Sequence, residues 1–311
     1  MKKLFIKTIF LGITLFVCCL VLILITSLIQ SKKLKDRGRA VVIDKTKRLA
    51  SLPSPKIVLV GGSNICYGLN SKILQDSLKI PVVDMSINAK VGMCFYLNQI
   101  KPYLHKGDIV IAIPEYDTYA AVDYYGDKSM YELCLTDKNN YKILTAYQWL
   151  RLPLYAGDIL KDNWGMFSLA KENENNEITN GRHFYNQFGD YEGHKNKVAD
   201  LLAEMKTEKN YNDPKNQMIQ SVLVDGLRSF STYCKNSGIN FYLSYPVFAK
   251  ILFNQSYADK IRNTLTGIRF INQPTEYLYD LNDLYNSANH LKFSQRDQRS
   301  YKLLEDIRRT F

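Results

Sequence analysis

The segment of residues 57–69 constrains the fold of this chain more than any other stretch. It opens with four apolar residues and continues through Gly61 and Gly62 to Ser63. Such an apolar run predicts a buried strand, and the glycine pair lets the backbone turn sharply. Because ligands of open α/β sheets bind at the carboxyl ends of the strands, Ser63 lies where a nucleophile would be placed. The alternative is an ordinary turn in which Ser63 caps the following helix.

Apolar runs of strand length alternate with helical periodicity along the rest of the chain. The runs cover residues 57–60, 82–87, 108–113 and 240–245, with a weaker one at 269–272. Helical patterns cover residues 71–78, 93–104, 216–234 and 257–265. This alternation predicts an α/β fold, a three-layer α/β/α arrangement with a flavodoxin-like parallel sheet.

We expect one domain over residues 56–311, interrupted by a long insertion at about residues 116–212. The insertion is rich in Tyr, Asn and Asp, and we expect it to lie over the carboxyl edge of the sheet. Loops of this composition suit a polar, ring-shaped ligand such as a sugar. Packing of the same aromatic residues onto the domain is the alternative explanation.

The N-terminus carries an apolar segment. Residues 8–29 contain no charged side chain, and Lys2, Lys3 and Lys7 precede them. At ~1.5 Å per residue the run is about 33 Å long, enough to cross a hydrocarbon core of about 30 Å. No small-residue cleavage site follows it. Residues 1–30 therefore predict an uncleaved N-terminal transmembrane helix. A basic juxtamembrane linker over residues 31–55 follows it, and a basic helix is the alternative for this segment.

The basic charge of the chain is concentrated near this segment. The net charge is +11, but residues 1–48 hold 11 of the 41 basic residues and 2 of the 30 acidic ones, which leaves +2 for the rest. Such a cluster suits anionic lipid headgroups and makes membrane lipid an expected partner. The nearly neutral remainder has no basic stripe for a phosphate backbone, so we expect no nucleic-acid partner.

We expect neither a metal nor a cofactor. Outside the apolar segment, Cys66, Cys94, Cys134 and Cys234 are widely spaced and form no CxxC pair. A flavodoxin-like nucleotide or flavin binder is the least favoured function class. The glycines before Ser63 could contact a phosphate, but neither a GxGxxG motif nor a glycine-rich loop ending in Lys-Ser/Thr is present.

A serine nucleophile needs a base, and His290 is the best candidate among the four histidines. It lies in a polar loop at residues 286–291, between the last predicted strand and the last predicted helix. In a parallel α/β sheet this loop emerges at the same edge as Ser63. We therefore expect the two side chains to meet, with a merely exposed loop histidine as the alternative.

The order of these blocks resembles that of the SGNH (GDSL-type) hydrolases over residues 56–311. The nucleophile block matches at Ser63 and its glycines, a backbone-donor glycine matches at Gly92, and the histidine block matches at His290. The resemblance implies that His290 activates Ser63, and that the N–H groups of Ser63 and Gly92 hold the oxyanion. It also implies a serine esterase or O-acyltransferase, depending on whether water or a sugar hydroxyl accepts the acyl group.

More narrowly, the chain resembles the membrane-anchored branch found with bacterial surface-polysaccharide machinery. That branch has Glu-Tyr after its third strand and a later Gly-Asp segment followed by histidine, as in Gly189, Asp190 and His194 here. The resemblance implies an extracytoplasmic body, an acylated cell-envelope carbohydrate as substrate, and envelope-biosynthesis proteins as partners. The substrate-binding candidates are Asn64, Asn88, Glu115, Tyr116, Asp190 and His194.

Two positions depart from the hydrolase pattern. Glu115 and its neighbours stand where typical members supply an oxyanion Asn, and losing one such donor costs roughly 3–4 kcal/mol. Asn286 and Ser287 stand where an Asp would orient the histidine, and that change costs a serine protease ~10⁴ in rate. Papain-like enzymes do use Asn in this role, and Asp280 and Asp283 are further candidates. These departures leave a catalytically inactive glycan-binding or assembly protein as the alternative function.

Overall fold

The computed structural model describes residues 2–29, 38–167, 181–197 and 218–311. The β-strands are β1 (Ile57–Gly61), β2 (Val82–Asp84), β3 (Ile109–Ile113), β4 (Asn240–Leu243), β5 (Phe248–Ala249) and β6 (Leu278–Tyr279). The first α-helices are α1 (Lys2–Ile29), α2 (Val41–Ser51), α3 (Ser63–Gly68), α4 (Ser71–Leu78), α5 (Met93–Ile100) and α6 (Tyr116–Ala120). They are followed by α7 (Lys128–Thr136), α8 (Ala146–Phe167), α9 (Ser221–Asn236), α10 (Gln255–Thr264) and α11 (Arg296–Thr310).

The main sheet is parallel and confirms the predicted α/β class. Its four strands lie in the order β2-β1-β3-β4. The weak fifth run at residues 269–272 does not form a strand; it contributes one parallel bridge from Phe270 to Leu243. β2 ends earlier than predicted. The N–H of Met85 still donates to the carbonyl of Leu59 at 2.9 Å, but the N–H of Ser86 turns back to the Asp84 carboxylate at 2.7 Å.

Helices cover both faces of this sheet. Alternate residues of β1 point to opposite sides, as the strand period of two requires. Val58 and Val60 join a core with side chains of α2, α5, α9 and α10, whereas Ile57 and Leu59 join a second core with α3, α4 and α11. The spacing of buried residues on α9 shows why it forms a helix on this surface: Leu223, Val224, Leu227, Phe230 and Cys234.

The basic segment after residue 31 is not a linker throughout. Residues 41–51 form α2, which packs Val41 and Leu49 into the core. Lys45 is buried within 3.6 Å of the Asp84 carboxylate. Arg48 donates to the carbonyl of Val82 at 2.8 Å. Of the helix or linker expected here, the structure shows a helix over α2, and its Lys45 and Arg48 side chains bond at the end of β2 instead of facing lipid.

The structure describes the backbone of the N-terminal helix α1 over its whole length. Its described side chains at residues 3–18, 21 and 22 are all exposed. Among the residues that the structure describes, no helix meets the length and hydropathy needed to cross a membrane.

The described part of the insertion is helical and partly covers the sheet edge. Helix α7 buries Met130, Leu133 and Cys134 in the first core. The segment of residues 181–197 crosses the ends of β1 and β2, where Phe188 accepts from the N–H of Asp84 and Tyr191 donates to Cys66 at 2.8 Å. The rest of the predicted insertion, residues 168–180 and 198–212, lies outside the described residues.

Candidate functional site

The carboxyl ends of β1 and β3 flank the point at which the strand order reverses. β2 lies on one side of β1 and β3 on the other, and ligands of such sheets bind beside this point. A Cβ atom on Gly61 would overlap the carbonyl of Ile113. A Cβ atom on Gly62 would overlap the carboxylate of Glu115. The glycine pair therefore lets the start of α3 approach the end of β3.

Ser63 is the first residue of α3 and lies next to the loop that precedes α11. Its Oγ atom is 2.8 Å from Nε2 of His290, although the two residues are 227 positions apart. Both side chains are half-buried. The contact that we predicted from the sequence is confirmed, whereas a catalytic role for either residue stays a prediction.

The loop that carries His290 is closed on itself. Leu284 and Leu291 form an antiparallel bridge, and the N–H of Tyr285 donates to the carbonyl of His290 at 2.8 Å. This places Oδ1 of Asn286 at 2.7 Å from Nδ1 of the imidazole. Asp283 does not take this place, because its carboxylate accepts a hydrogen bond from Gln295 at 3.0 Å.

The Asn286 contact determines which nitrogen of His290 carries the proton. With Oδ1 accepting from Nδ1–H, the lone pair lies on Nε2 and faces the Ser63 hydroxyl. Burial lowers the pKa of His290 to about 4, so the imidazole is neutral at neutral pH. A neutral ring with a free lone pair toward a hydroxyl is what a general base needs.

An aromatic stack fixes the plane of the imidazole. Tyr67 lies one helical turn after Ser63 and stacks on His290, with ring centroids 4.3 Å apart and planes 6° apart. Beyond Tyr67 lie Tyr191 and His194, at centroid distances of 4.6 Å and 5.0 Å. The stack restricts rotation of His290 about its own axis.

Glu115 follows β3 and touches the same hydroxyl. Its side chain is buried, and Oε1 accepts hydrogen bonds from the N–H of Asn64 at 2.9 Å and from the hydroxyl of Ser63 at 3.2 Å. Burial raises the pKa of Glu115, and the hydrogen bond from Asn64 partly offsets this. A hydroxyl has one proton, so Glu115 and His290 compete for the proton of Ser63.

Asn64 and Arg299 tie α3 to the rest of the domain. The Asn64 amide donates to the carbonyl of Ile113 at 3.1 Å, and its Oδ1 accepts from Arg299 at 3.0 Å. Arg299 also donates to the backbone carbonyl of Asn64. A Cβ atom on Gly68 would overlap the guanidinium. Asn64 is therefore buried and bonds to the protein itself, and its substrate-binding role stays a prediction.

The two predicted oxyanion donors differ in their availability. The N–H of Ser63 is at the first position of a helix, where no intrahelical acceptor exists. The N–H of Gly92 donates to the carbonyl of Ala89 at 2.9 Å, and Gly92 itself has a φ of 84°, in the region that favours glycine. The structure thus engages the Gly92 N–H in a turn, and the role of either group in holding an oxyanion stays a prediction.

The remaining substrate-binding candidates lie mostly in the interior. Tyr116 and His194 are buried among aromatic rings. Asp190 is buried and accepts from the N–H of Ser71 at 2.8 Å, at the start of α4. Asn88 is half-buried, and its Oδ1 accepts from the N–H of Lys90 at 2.8 Å. The structure gives these side chains partners or neighbours within the protein, and their substrate-binding roles stay predictions.

Two residues of the site were missed at the sequence level. Tyr67 could have been found, because it is four residues after Ser63 and therefore lies on the same side of a helix. Arg299 offers no such signal, because a basic residue in a terminal helix is usually exposed.

Within the described ranges, no group of three or more His, Cys, Asp or Glu side chains is arranged to hold a metal ion. Comparisons of the chain with protein-family models, with curated protein sequences and with solved structures find no match.

Proposed function

We propose that the chain is a membrane-anchored serine esterase or O-acyltransferase of the SGNH type. The observation that carries the proposal is the continuous contact from Ser63 Oγ to His290 Nε2 at 2.8 Å and from Nδ1 to Asn286 Oδ1 at 2.7 Å. A nucleophile, a base and an orienting group in this order define the hydrolytic serine arrangement. The strand order β2-β1-β3-β4, which is that of flavodoxin-like sheets, supports the same class.

The proposed reaction proceeds in two acyl transfers. His290 takes the hydroxyl proton of Ser63 on Nε2 while Oγ attacks the ester carbonyl, and the N–H of Ser63 donates to the developing oxyanion. His290 then returns the proton to the leaving alcohol, which leaves an acyl-serine. Water or a sugar hydroxyl gives its proton to Nε2 and attacks the acyl group. The proton returns to Ser63 when the tetrahedral intermediate collapses.

An acylated carbohydrate of the cell envelope is the proposed substrate. Tyr285, whose N–H donates to the carbonyl of His290, brings a half-buried aromatic ring to this edge, and such a ring offers an apolar face to a sugar. The exposed apolar side chains of α1 support an anchor in lipid. An extracytoplasmic body is part of the proposal and rests on the resemblance alone. Envelope-biosynthesis proteins are the proposed partners.

A covalent labelling experiment tests the reactivity of the Ser63 hydroxyl directly. Full-length protein in detergent is treated with a fluorophosphonate probe and assayed with p-nitrophenyl acetate. We expect covalent labelling at Ser63 and a turnover that disappears together with the label. Protein that is folded, unlabelled and without serine-dependent turnover would instead fit the second candidate.

That second candidate is a catalytically inactive glycan-binding or assembly protein. The contact of Glu115 with Ser63 at 3.2 Å favours it, because an ionised carboxylate there draws the hydroxyl proton away from His290 and repels an oxyanion. Glu115→Gln distinguishes the two candidates: the amide removes the charge, so an enzyme held back by Glu115 gains turnover and an inactive protein does not.

The pH dependence of turnover is expected to extend unusually far into acid. His290 acts as a base only when neutral, and burial lowers its pKa to about 4. kcat/KM for an activated ester should therefore stay constant as pH falls from neutrality and decline only near pH 4, instead of near the ordinary histidine value of about 6.5. The profile of Glu115→Gln serves as the control, because a decline that persists without this carboxyl belongs to His290. A decline centred near pH 6.5 in both proteins contradicts the assignment.

Asn286→Asp is expected to move that acid limb upward. A carboxylate at Nδ1 stabilises the imidazolium and so raises the pKa of His290. We expect kcat to rise about 10- to 100-fold, less than the ~10⁴ lost in the reverse change in a serine protease, because Asn286 already selects the correct tautomer. The measurement is a pH–rate profile beside that of Asn282→Asp, which adds the same charge at an exposed turn. Identical profiles for the two variants would exclude Asn286 as the orienting residue.

A further inference from the structure

Helix α8 presents an apolar face to solvent, opposite to the usual pattern of a surface helix. Tyr147, Leu150 and Leu154 are 51%, 76% and 74% exposed, and their spacing of three and four residues puts them on one face. The opposite face is also apolar, with Leu152 and Ala156 buried in the core. Exposed apolar side chains grouped in this way mark an interaction surface.

The exposed face carries no charged side chain from Tyr147 to Leu154. The exposed Asp158, one turn after Leu154, ends this uncharged stretch, and between residues 146 and 157 the sequence has a single charged residue, Arg151. Its guanidinium is engaged with the Asp123 carboxylate at 2.7 Å. The face is thus an apolar stripe bounded by an ion pair. Exposure of an apolar stripe of this length to water is unfavourable.

Basic and aromatic residues border this stripe. Trp149 is 38% exposed and stacks on Tyr141 with ring centroids 5.4 Å apart. Tyr141 belongs to a 3₁₀ segment, Lys138–Ile143, in which Lys138 and Lys142 are exposed. Tryptophan and tyrosine at the headgroup level, with lysines reaching anionic phosphates, are the usual composition of a membrane interface.

The stripe also adjoins the apolar N-terminal helix. Helix α1 contacts α8. The described side chains of α1 are exposed, and most of them are apolar. A bilayer that receives α1 would therefore meet α8 as well. The apolar stripe and its lysine border match the two layers of such a surface, hydrocarbon and anionic headgroup.

We infer that the α8 face, defined by Tyr147, Trp149, Leu150 and Leu154, rests in the headgroup region of an anionic lipid bilayer. The inference depends on the α1 anchor of the proposed function and is independent of the serine chemistry. It places the body of the protein on the membrane surface instead of at a distance from it. An acylated substrate at that surface would therefore lie close to the site.

Tryptophan quenching tests this placement in the full chain. The protein has two tryptophans, Trp149 and Trp164, so Trp164→Phe leaves Trp149 as the only reporter. The variant is reconstituted into vesicles of phosphatidylcholine and phosphatidylglycerol whose acyl chains are, or are not, brominated near the glycerol. We expect brominated lipid to remove about half of the Trp149 fluorescence, since interfacial helices sink about 5–10 Å into the headgroup boundary.

Two further variants make the result decisive. Tyr301→Trp, in a chain without Trp149 and Trp164, puts the reporter at an exposed site of α11 on the other sheet face, where no quenching is expected. Leu150→Glu with Leu154→Glu changes exposed positions only and is expected to restore the fluorescence of Trp149 while the chain still floats with the vesicles. Without phosphatidylglycerol, quenching is expected to weaken, because the lysine contacts are lost.

Each remaining outcome overturns the inference in a recognisable way. A chain that floats with vesicles but keeps its Trp149 fluorescence retains its anchor, and the α8 face is then left for a protein partner. A chain that does not float refutes the anchor and the α8 placement together. Ser63→Ala should show the same quenching as the unchanged protein, so an absence of ester turnover has no bearing on the result.

Discussion

Ser63→Ala is expected to lower kcat/KM for p-nitrophenyl acetate by about 10⁴-fold or more and to abolish fluorophosphonate labelling. The reason is that the hydroxyl 2.8 Å from Nε2 of His290, which is the proposed nucleophile, is removed. His290→Ala should cause a loss of similar size. The double variant should be no worse than either single one, because a nucleophile and its base act as a unit and their effects do not add.

Matched controls separate this result from a general loss of folding. Ser51→Ala and His105→Ala change a serine and a histidine that are exposed and outside the site, and both are expected to leave turnover and labelling unchanged. Circular dichroism of Ser63→Ala should equal that of the unchanged protein. Turnover that survives in Ser63→Ala, or single losses that multiply in the double variant, would contradict the proposed mechanism.

The pairing of Ser63 with His290 was accessible from the sequence for a topological reason. Parallel strands end at one edge, so residues that follow β1 and precede α11 meet there whatever their separation along the chain. The same reasoning places Glu115, which follows β3, at this edge. The same reasoning cannot predict that Glu115 and His290 compete for the proton of Ser63. That competition depends on a difference of a few tenths of an ångström between the distances from the hydroxyl to its two acceptors.

The burial of Lys45 in α2 was not predictable from the sequence, because it depends on a carboxylate that is distant along the chain. Residues 31–55 have the composition of a linker, and a lysine-rich helix gives no sign that one of its amines is buried. Only the position of Asp84 at the end of β2 makes Lys45 an interior residue. Likewise the sequence predicts β2 as far as residue 87, but the N–H of Ser86 turns back to the Asp84 carboxylate and ends the ladder after Met85.

The burial of Lys45 leads to the second large effect, on stability. Lys45→Met retains the aliphatic stem but removes the amine, which lies 3.6 Å from the Asp84 carboxylate, donates to the carbonyl of Ser86 and faces the ring of Tyr185. Breaking a buried ion pair by removing one partner costs about 3–5 kcal/mol in the free energy of unfolding. The matched control is Lys47→Met on the same helix, which is exposed and should change this free energy by less than about 0.5 kcal/mol.

The loss should depend on pH in a direction that identifies Asp84 as its cause. Burial already raises the pKa of Asp84 to about 6, and Lys45 opposes this effect, so the pKa rises further when the amine is absent. Between the unfolded value of about 3.9 and the higher folded one, the folded state binds more protons, and its stability falls as pH rises. The difference between Lys45→Met and the unchanged protein, measured by urea unfolding in detergent, should therefore be larger at pH 8 than at pH 5.

Adding Asp84→Asn to Lys45→Met should recover much of the lost stability, because the neutral amide no longer requires a cation. It should also remove the pH dependence of the difference. If Lys45→Met instead behaves like Lys47→Met at both pH values, the Lys45–Asp84 pair contributes nothing measurable to stability, and α2 is held by its apolar side chains Val41 and Leu49 alone.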